Sequence, residues 1–214
     1  MSGGIANLTI EEQLQQICSK VLDEIRIFYE LLTNQELNVN PLQVYSKISS
    51  VKDDVEVTKY KLGEYIIRVR EAIQDGDLYL EILNNLERSA QNIDAAGYRY
   101  SVILSRGNKM DDVTYRLLVV MAEKLMATIT QLSESIRLLS VNPNKSLESS
   151  KAVVRMEEDV DELYRSFELK LYEKSGNDLV YIMLAKDVAD RLEDSEDLLK
   201  VSSDTVTYLA LERS

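Results

Sequence analysis

Two short acidic rows hold the residues of this chain best placed to do chemistry. Glu157 and Asp161 stand four residues apart in MEEDVDELYR. Asp190, Glu193 and Asp197 stand three and then four apart in KDVADRLEDSED. On a helix, both spacings put the carboxylates on one face. Like charges so placed repel, and they destabilise the helix unless positive charge lies over them. If the two rows face each other across neighbouring helices, they offer four or five hard oxygen ligands. Iron, manganese, magnesium and zinc are the metals such a set suits. One divalent ion would leave charge over, so the rows fit a multinuclear centre. The competing reading is a solvated surface. An acidic protein with long helices generates such pairs by chance, and Arg155, Arg165, Lys186 and Arg191 are near enough to neutralise some of them. Neither spacing is a specific motif, so both readings stay open here.

Missing residue types narrow the chemistry further. The 214 residues include no histidine and no tryptophan. Histidine metal ligands, histidine acid–base catalysis and histidine-dependent triads are therefore excluded. A redox di-iron bundle built on Glu-x-x-His pairs is excluded with them. The one cysteine, Cys18, sits beside Ile17 in an apolar stripe and reads as a buried structural thiol. Around the central turn, Arg99, Arg106, Lys109 and Arg116 form a modest basic patch, read first as a solvated turn. The neighbouring SRGNK lacks the glycine spacing of a phosphate loop.

Acidic residues outnumber basic ones 37 to 25, a formal charge of -12. That excludes the basic footprint of a nucleic-acid binder and disfavours anionic membranes. Metal ions or basic protein surfaces suit such a chain better. No basic segment leads into an apolar run at the N-terminus, and no window approaches a membrane span. The expectation is a cytoplasmic protein.

The elements that must position the rows are helices. Only 7 glycines and 2 prolines interrupt the chain, and apolar residues recur every three or four positions. Helix 1 is expected to start after Thr9, whose T-x-x-E pattern with Glu12 is a capping box, with the first several residues disordered. It runs through Leu14, Ile17, Val21, Ile25, Phe28 and Leu32 until TNQELNVN. Helix 2 is expected from Asn40-Pro41 to the Asp75-Gly76-Asp77 turn. Helix 3 follows, with Gly97 mid-helix permitting a close helix contact. Helix 4 spans Tyr115 to Leu139 and stops at Asn142-Pro143. Helix 5 is expected from about Ser146 to Lys174 and carries the first acidic row. After Ser175-Gly176-Asn177-Asp178, helix 6 carries the second row and ends near Leu211. Glu196 breaks the helix 6 stripe and is placed at its edge. The expected fold is all-α, six long helices in two antiparallel three-helix bundles. IQDGDLYLEILNNLERSAQNI and KSGNDLVYIMLAKDVADRLED share an order of features, which marks internal repeats at about 9–107 and 111–211.

This layout resembles the PhoU-like proteins over most of the chain, most clearly in LERSAQNIDAAGYR, EEDVDELYR and KDVADRLEDSEDL. In that family, an acid followed four residues later by Asp lies on two helices of each triplet and holds divalent or multinuclear metal. The resemblance implies Glu157, Asp161, Glu193 and Asp197 as metal ligands, with Asp190 as a further acidic position. Asp190 and Asp194 form an overlapping match. The first triplet keeps only fragments: Asp53 is followed by Val57, Asp54 by Thr58 and Glu87 by Gln91. At most one substantial site is therefore expected, in the second triplet. The resemblance implies a non-enzymatic regulator or accessory protein of phosphate uptake. Its partner would be a phosphate permease or a signalling protein, and self-association is consistent with the tyrosine-rich helix edges. The alternatives are a carboxylate-metal hydrolase acting on phosphate esters and a metal-free helical interaction protein.

Overall fold

A computed structural model describes residues 2–34, 40–73, 75–174 and 178–214. Six helices carry nearly all of them: α1 (Ser2–Thr33), α2 (Pro41–Arg68), α3 (Gly76–Ser105), α4 (Asp112–Leu138), α5 (Pro143–Lys174) and α6 (Leu179–Leu211). A 3-10 turn at Arg70–Ala72 follows α2. At 27 to 33 residues each, the helices are roughly 40–50 Å long.

Local signals set most of the boundaries. Asn40 caps α2, its side chain accepting from the Leu42 N–H, with Pro41 in the first turn. Asp111 caps α4 by accepting from Val113 and Thr114. Asn142 accepts from the Lys145 N–H, so α5 starts at Pro143, about one turn earlier than its stripe implied. Asp178 caps α6 through the Tyr181 N–H. The Gln35–Val39 part of the first predicted break, Gln74 and the Ser175-Gly176-Asn177 turn lie outside the described residues.

The start of α1 differs from expectation. Residues 2–9 are helical, and the Thr9 hydroxyl donates to the Ile5 carbonyl inside the helix, 3.0 Å away, instead of capping it. Burial explains the difference. Ala6 and Ile10 extend the apolar stripe backwards and are buried against the bundle, and packing of an apolar face outweighs a local capping signal.

Helices α1, α2 and α3 pack on one another, as do α4, α5 and α6. The two triplets meet where α3 lies against α6 and α1 against α4. A continuous core joins them, with Phe28, Ile48, Tyr100, Ile129 and Phe167 among its buried residues. Gly97 makes the α2–α3 approach possible: a Cβ there would stand 2.8 Å from Ile48 Cδ1. Cys18 is buried in this core, and burial pushes its thiol up to about 12.

Polar contacts fasten one end of the bundle. Glu11 of α1 is buried, and its Oε1 accepts from Tyr79 Oη of α3 at 2.7 Å and from Arg213 at 2.6 Å. Its Oε2 accepts from the Ser140 hydroxyl in the α4–α5 turn. At the opposite end, the Asn108 amide donates to Asp178 at 3.0 Å.

Candidate functional site

The acidic rows lie on adjacent antiparallel helices, α5 and α6, as their spacing requires if they are to meet. Packing of α5 exposes Met156 partly and buries Glu157 to 9 %. The apolar stripe is thus turned so that Glu157 points into the α5–α6 seam. Glu157 and Asp197 lie close enough across the seam for each carboxylate to oppose the other's charge. The Asp197 carboxyl is held above its ordinary range by burial, then by the Glu157 charge, while Lys200 pulls the other way. Glu193 is pushed up to about 7, first by burial and then by the charges of Asp197, Asp194, Asp161 and Asp190. The seam therefore brings Glu157, Asp161, Glu193 and Asp197 into one electrostatic neighbourhood, carrying more negative charge than its cations neutralise.

Those cations are particular. Lys200 Nζ donates to Glu157 Oε1 at 3.0 Å. Arg165 pairs with Asp161 at 2.6 Å. Asp190 stands apart from the other four in its bonding: it accepts from Tyr164 Oη at 2.7 Å and from Lys186 at 2.7 and 3.0 Å. Lys186 also reaches Glu168 at 3.2 Å. Burial works against the Lys186 charge, but its bonds to Asp190, Tyr164 and Glu168 outweigh that and hold it protonated. Asp194 is paired with Arg191 at 3.4 Å.

Two features escaped the sequence reading. Glu196 is not at the edge of the stripe but fully buried, where Thr128 of α4 donates a hydrogen bond to its Oε1. Its Oε2 is buried with no hydrogen-bond partner. Burial pushes its carboxyl up to about 8; the Thr128 bond opposes this, and the Glu157 charge adds to it. Lys200 was the other, although its place three residues beyond Asp197 on the same helical row was a visible signal. Within the basic patch, Arg99 is paired with Asp187 across the triplet boundary. An open groove of about 630 Å³ between α3 and α6 has Arg88, Arg191 and Lys200 in its walls, matched by Asp194, Asp197 and Asp204. Charge balance there gives no preference for an anion.

Among the described residues, no three carboxylate, thiolate or imidazole side chains converge closely enough to hold a metal ion as they stand. The donor chemistry nevertheless fits a hard cation. Four carboxylates share a seam, and Lys200 and Arg165 sit where added positive charge is favoured. A metal ion would take the place of the Lys200 contact to Glu157.

Solved structures share the six-helix architecture. PhoU from Pseudomonas aeruginosa superposes with a TM-score of 0.83 at 11% identity, covering 98% of this chain and 99% of that one. The fold is that of PhoU. The phosphate transport system regulatory protein PhoU from Streptococcus pneumoniae gives 0.82 at 11% identity, over 97% of this chain and 96% of that one. A putative PhoU-like phosphate regulatory protein from Shewanella oneidensis MR-1 gives 0.69 at 12% identity, over 96% and 97%. No protein-family model matches the sequence, and no curated protein sequence matches it significantly. At such identities the PhoU likeness is one of architecture, carried by helix lengths, order and packing. Among the described residues, no helix is long and apolar enough to cross a membrane.

Proposed function

We propose that this chain is a cytoplasmic, non-catalytic regulator or accessory protein of phosphate uptake. The observation that carries the reading is the end-to-end match of its six helices to PhoU structures, one of them described as a phosphate transport system regulatory protein. The acidic seam supports it. Divalent metal held by Glu157, Asp161, Glu193 and Asp197, with Asp190 at its margin, would supply the positive charge those carboxylates demand. Iron, zinc, magnesium and manganese all suit oxygen donors of this kind. The protein's own part is to hold the two rows at a fixed separation and to exclude water with Glu196 and the core beneath. Relief of repulsion would stiffen the α5–α6 face, which could then be offered to a phosphate permease or a signalling protein.

Affinity capture from membranes of the source cells, grown with and without phosphate, tests the regulatory role. A phosphate permease or its signalling partner is the expected capture; if neither is enriched, and phosphate uptake is unchanged on deletion, the reading is wrong. Metal content of protein purified without chelator, compared with an Asp161→Ala plus Asp197→Ala variant, tests the seam separately. Equal, near-zero metal in both removes the metal and leaves the regulatory role standing.

A further inference from the structure

The outer face of α2 carries an apolar notch that the fold itself leaves unused. α2 packs on α1 and α3 at the outside of the first triplet, burying Ile48, Val55, Leu62 and Ile66. Away from that stripe, Tyr60 and Ile67 are each 64 % exposed, with Val57 beside them at 52 %. Gly63 lies between Tyr60 and Ile67 on one helical row, three residues after the first and four before the second. A glycine inside a helix weakens it relative to alanine, and close approach of another backbone is what it gives in return. Gly97 has such a neighbour within the chain, and Gly63 does not. A Cβ at Gly63 would meet only Leu83 Cδ2 at 3.8 Å and Leu80 Cδ2 at 4.0 Å, both ordinary contacts. The backbone is thus bared between two exposed apolar side chains, where a helix from outside the chain can come close.

Charge along the same face selects the occupant. Residues 52–56 hold Lys52, Asp53, Asp54 and Glu56, net −2. Residues 59–71 hold Lys59, Lys61, Arg68 and Arg70 against Glu64 and Glu71, net +2. Part of this charge is met locally: Lys52 by Asp53 at 2.6 Å and Glu56 at 3.8 Å, Lys59 by Glu87 of α3 at 3.4 Å, and Arg68 by Glu64. Lys61 and Arg70 are exposed and make no ion pair among the described residues. A strip that is acidic at one end and basic at the other complements an antiparallel copy of itself. A two-fold axis at Gly63 puts Glu56 of each copy opposite Arg70 of the other, each seven residues from the axis. The same axis brings Tyr60 of one copy onto Ile67 of the other. We infer that this face of α2 binds a second copy of the chain, antiparallel and centred on Gly63, to form a symmetric dimer. The overall charge of −12 on each copy opposes this, but salt screens it beyond about 8 Å, whereas the strip acts at contact. The face belongs to the first triplet, apart from the α5–α6 seam, and does not depend on the function proposed above.

Sedimentation velocity of the full chain over about 1–200 μM is the test, in EDTA so that metal at the seam cannot bridge molecules. A reversible dimer with a micromolar Kd is expected of a contact this small. Ile67→Asp should weaken it by about tenfold or more, as should Gly63→Gln, which fills the notch. Both positions are at the surface, so an unchanged Tm confirms that each variant is folded. Glu56→Arg alone and Arg70→Glu alone should each weaken the dimer about three- to tenfold, and the two changes together should restore it. That restoration is specific to an antiparallel self-contact. A chain that stays monomeric throughout overturns the proposal, even if a helix of another protein is then found on this face. A dimer indifferent to Ile67→Asp, or one the paired charge swap does not restore, lies on another surface and overturns it equally.

Discussion

Replacing Glu196 with glutamine isolates the electrostatic cost carried beneath the acidic seam. Glutamine keeps an oxygen to accept from Thr128 but cannot ionise. In the folded protein the Glu196 carboxyl titrates at about 8, against an ordinary 4.5. Its folded form thus binds the proton more tightly than the unfolded chain does. The associated stability is fully present below about pH 4.5 and is lost as the pH rises through about 8. That gap corresponds to at most about 5 kcal/mol, of which about 3 kcal/mol falls between pH 5 and 8. For a chain of this size the latter is about 6–12 °C in Tm. The assay is denaturant or thermal unfolding of both proteins in EDTA from pH 5 to 8. The two should be similar in stability at pH 5, and the variant should pull ahead steadily towards pH 8. Glu193, Asp197 and Glu24 titrate in both proteins, so the difference between the curves belongs to Glu196 and its immediate neighbours. Parallel curves, with a constant offset at every pH, would refute the reasoning.

Two other perturbations address packing and the seam. Gly97→Ala gains about 1 kcal/mol of helix propensity but drives a methyl into Ile48, an overpacking cost of about 1–3 kcal/mol, so a net loss near 1 kcal/mol is expected by urea unfolding. Ile48→Val removes the offending Cδ1, and the double variant should recover about 1 kcal/mol relative to the sum of the singles; strict additivity would show that the helices have room. Lys200→Ala should lower the stability of metal-free protein by about 1–2 kcal/mol, because Glu157 loses its ammonium while mostly buried. The same change should tighten Mn²⁺ binding measured by calorimetry, since Lys200 and a metal ion would compete for one carboxylate; unchanged binding would mean they do not.

Much of the fold was legible in the sequence because punctuation and periodicity agreed. Asn40-Pro41 and Asp178 are caps whose chemistry is local, and each is used. The N-terminal turns of α1 were misjudged because Thr9 and Glu12 give a strong local signal, whereas the burial of Ala6 and Ile10 depends on partners far along the chain. The acidic rows were legible as rows, and their sharing of one seam followed from adjacent helices. What a pattern with one-residue uncertainty could not give was the turn of α5 about its axis. That rotation decides whether Met156 or Glu157 faces inward. Glu196 shows the same limit: a charged residue in a stripe reads as an edge, yet Thr128, 68 residues earlier, makes its burial tolerable. Glu24 of α1, which is fully buried, carried no local sign at all, since its neighbours Lys52 and Asp94 are brought to it only by the packing of α1, α2 and α3.

The Glu11 junction has a mechanical corollary. A single carboxylate gathers donors from α3, from the α4–α5 turn and from the segment after α6, so parts of both halves are pinned at one end. The far end has the Asn108–Asp178 bond, which is neutral-to-ionic and only partly sheltered. The same end also has Tyr115 Oη of α4 donating to the Leu32 carbonyl of α1 at 3.2 Å, so it is held by separate bonds where the near end shares one buried carboxylate. Shortening the chain by its final two residues would take Arg213 from the Glu11 junction and leave that buried carboxylate only the neutral donors Tyr79 and Ser140.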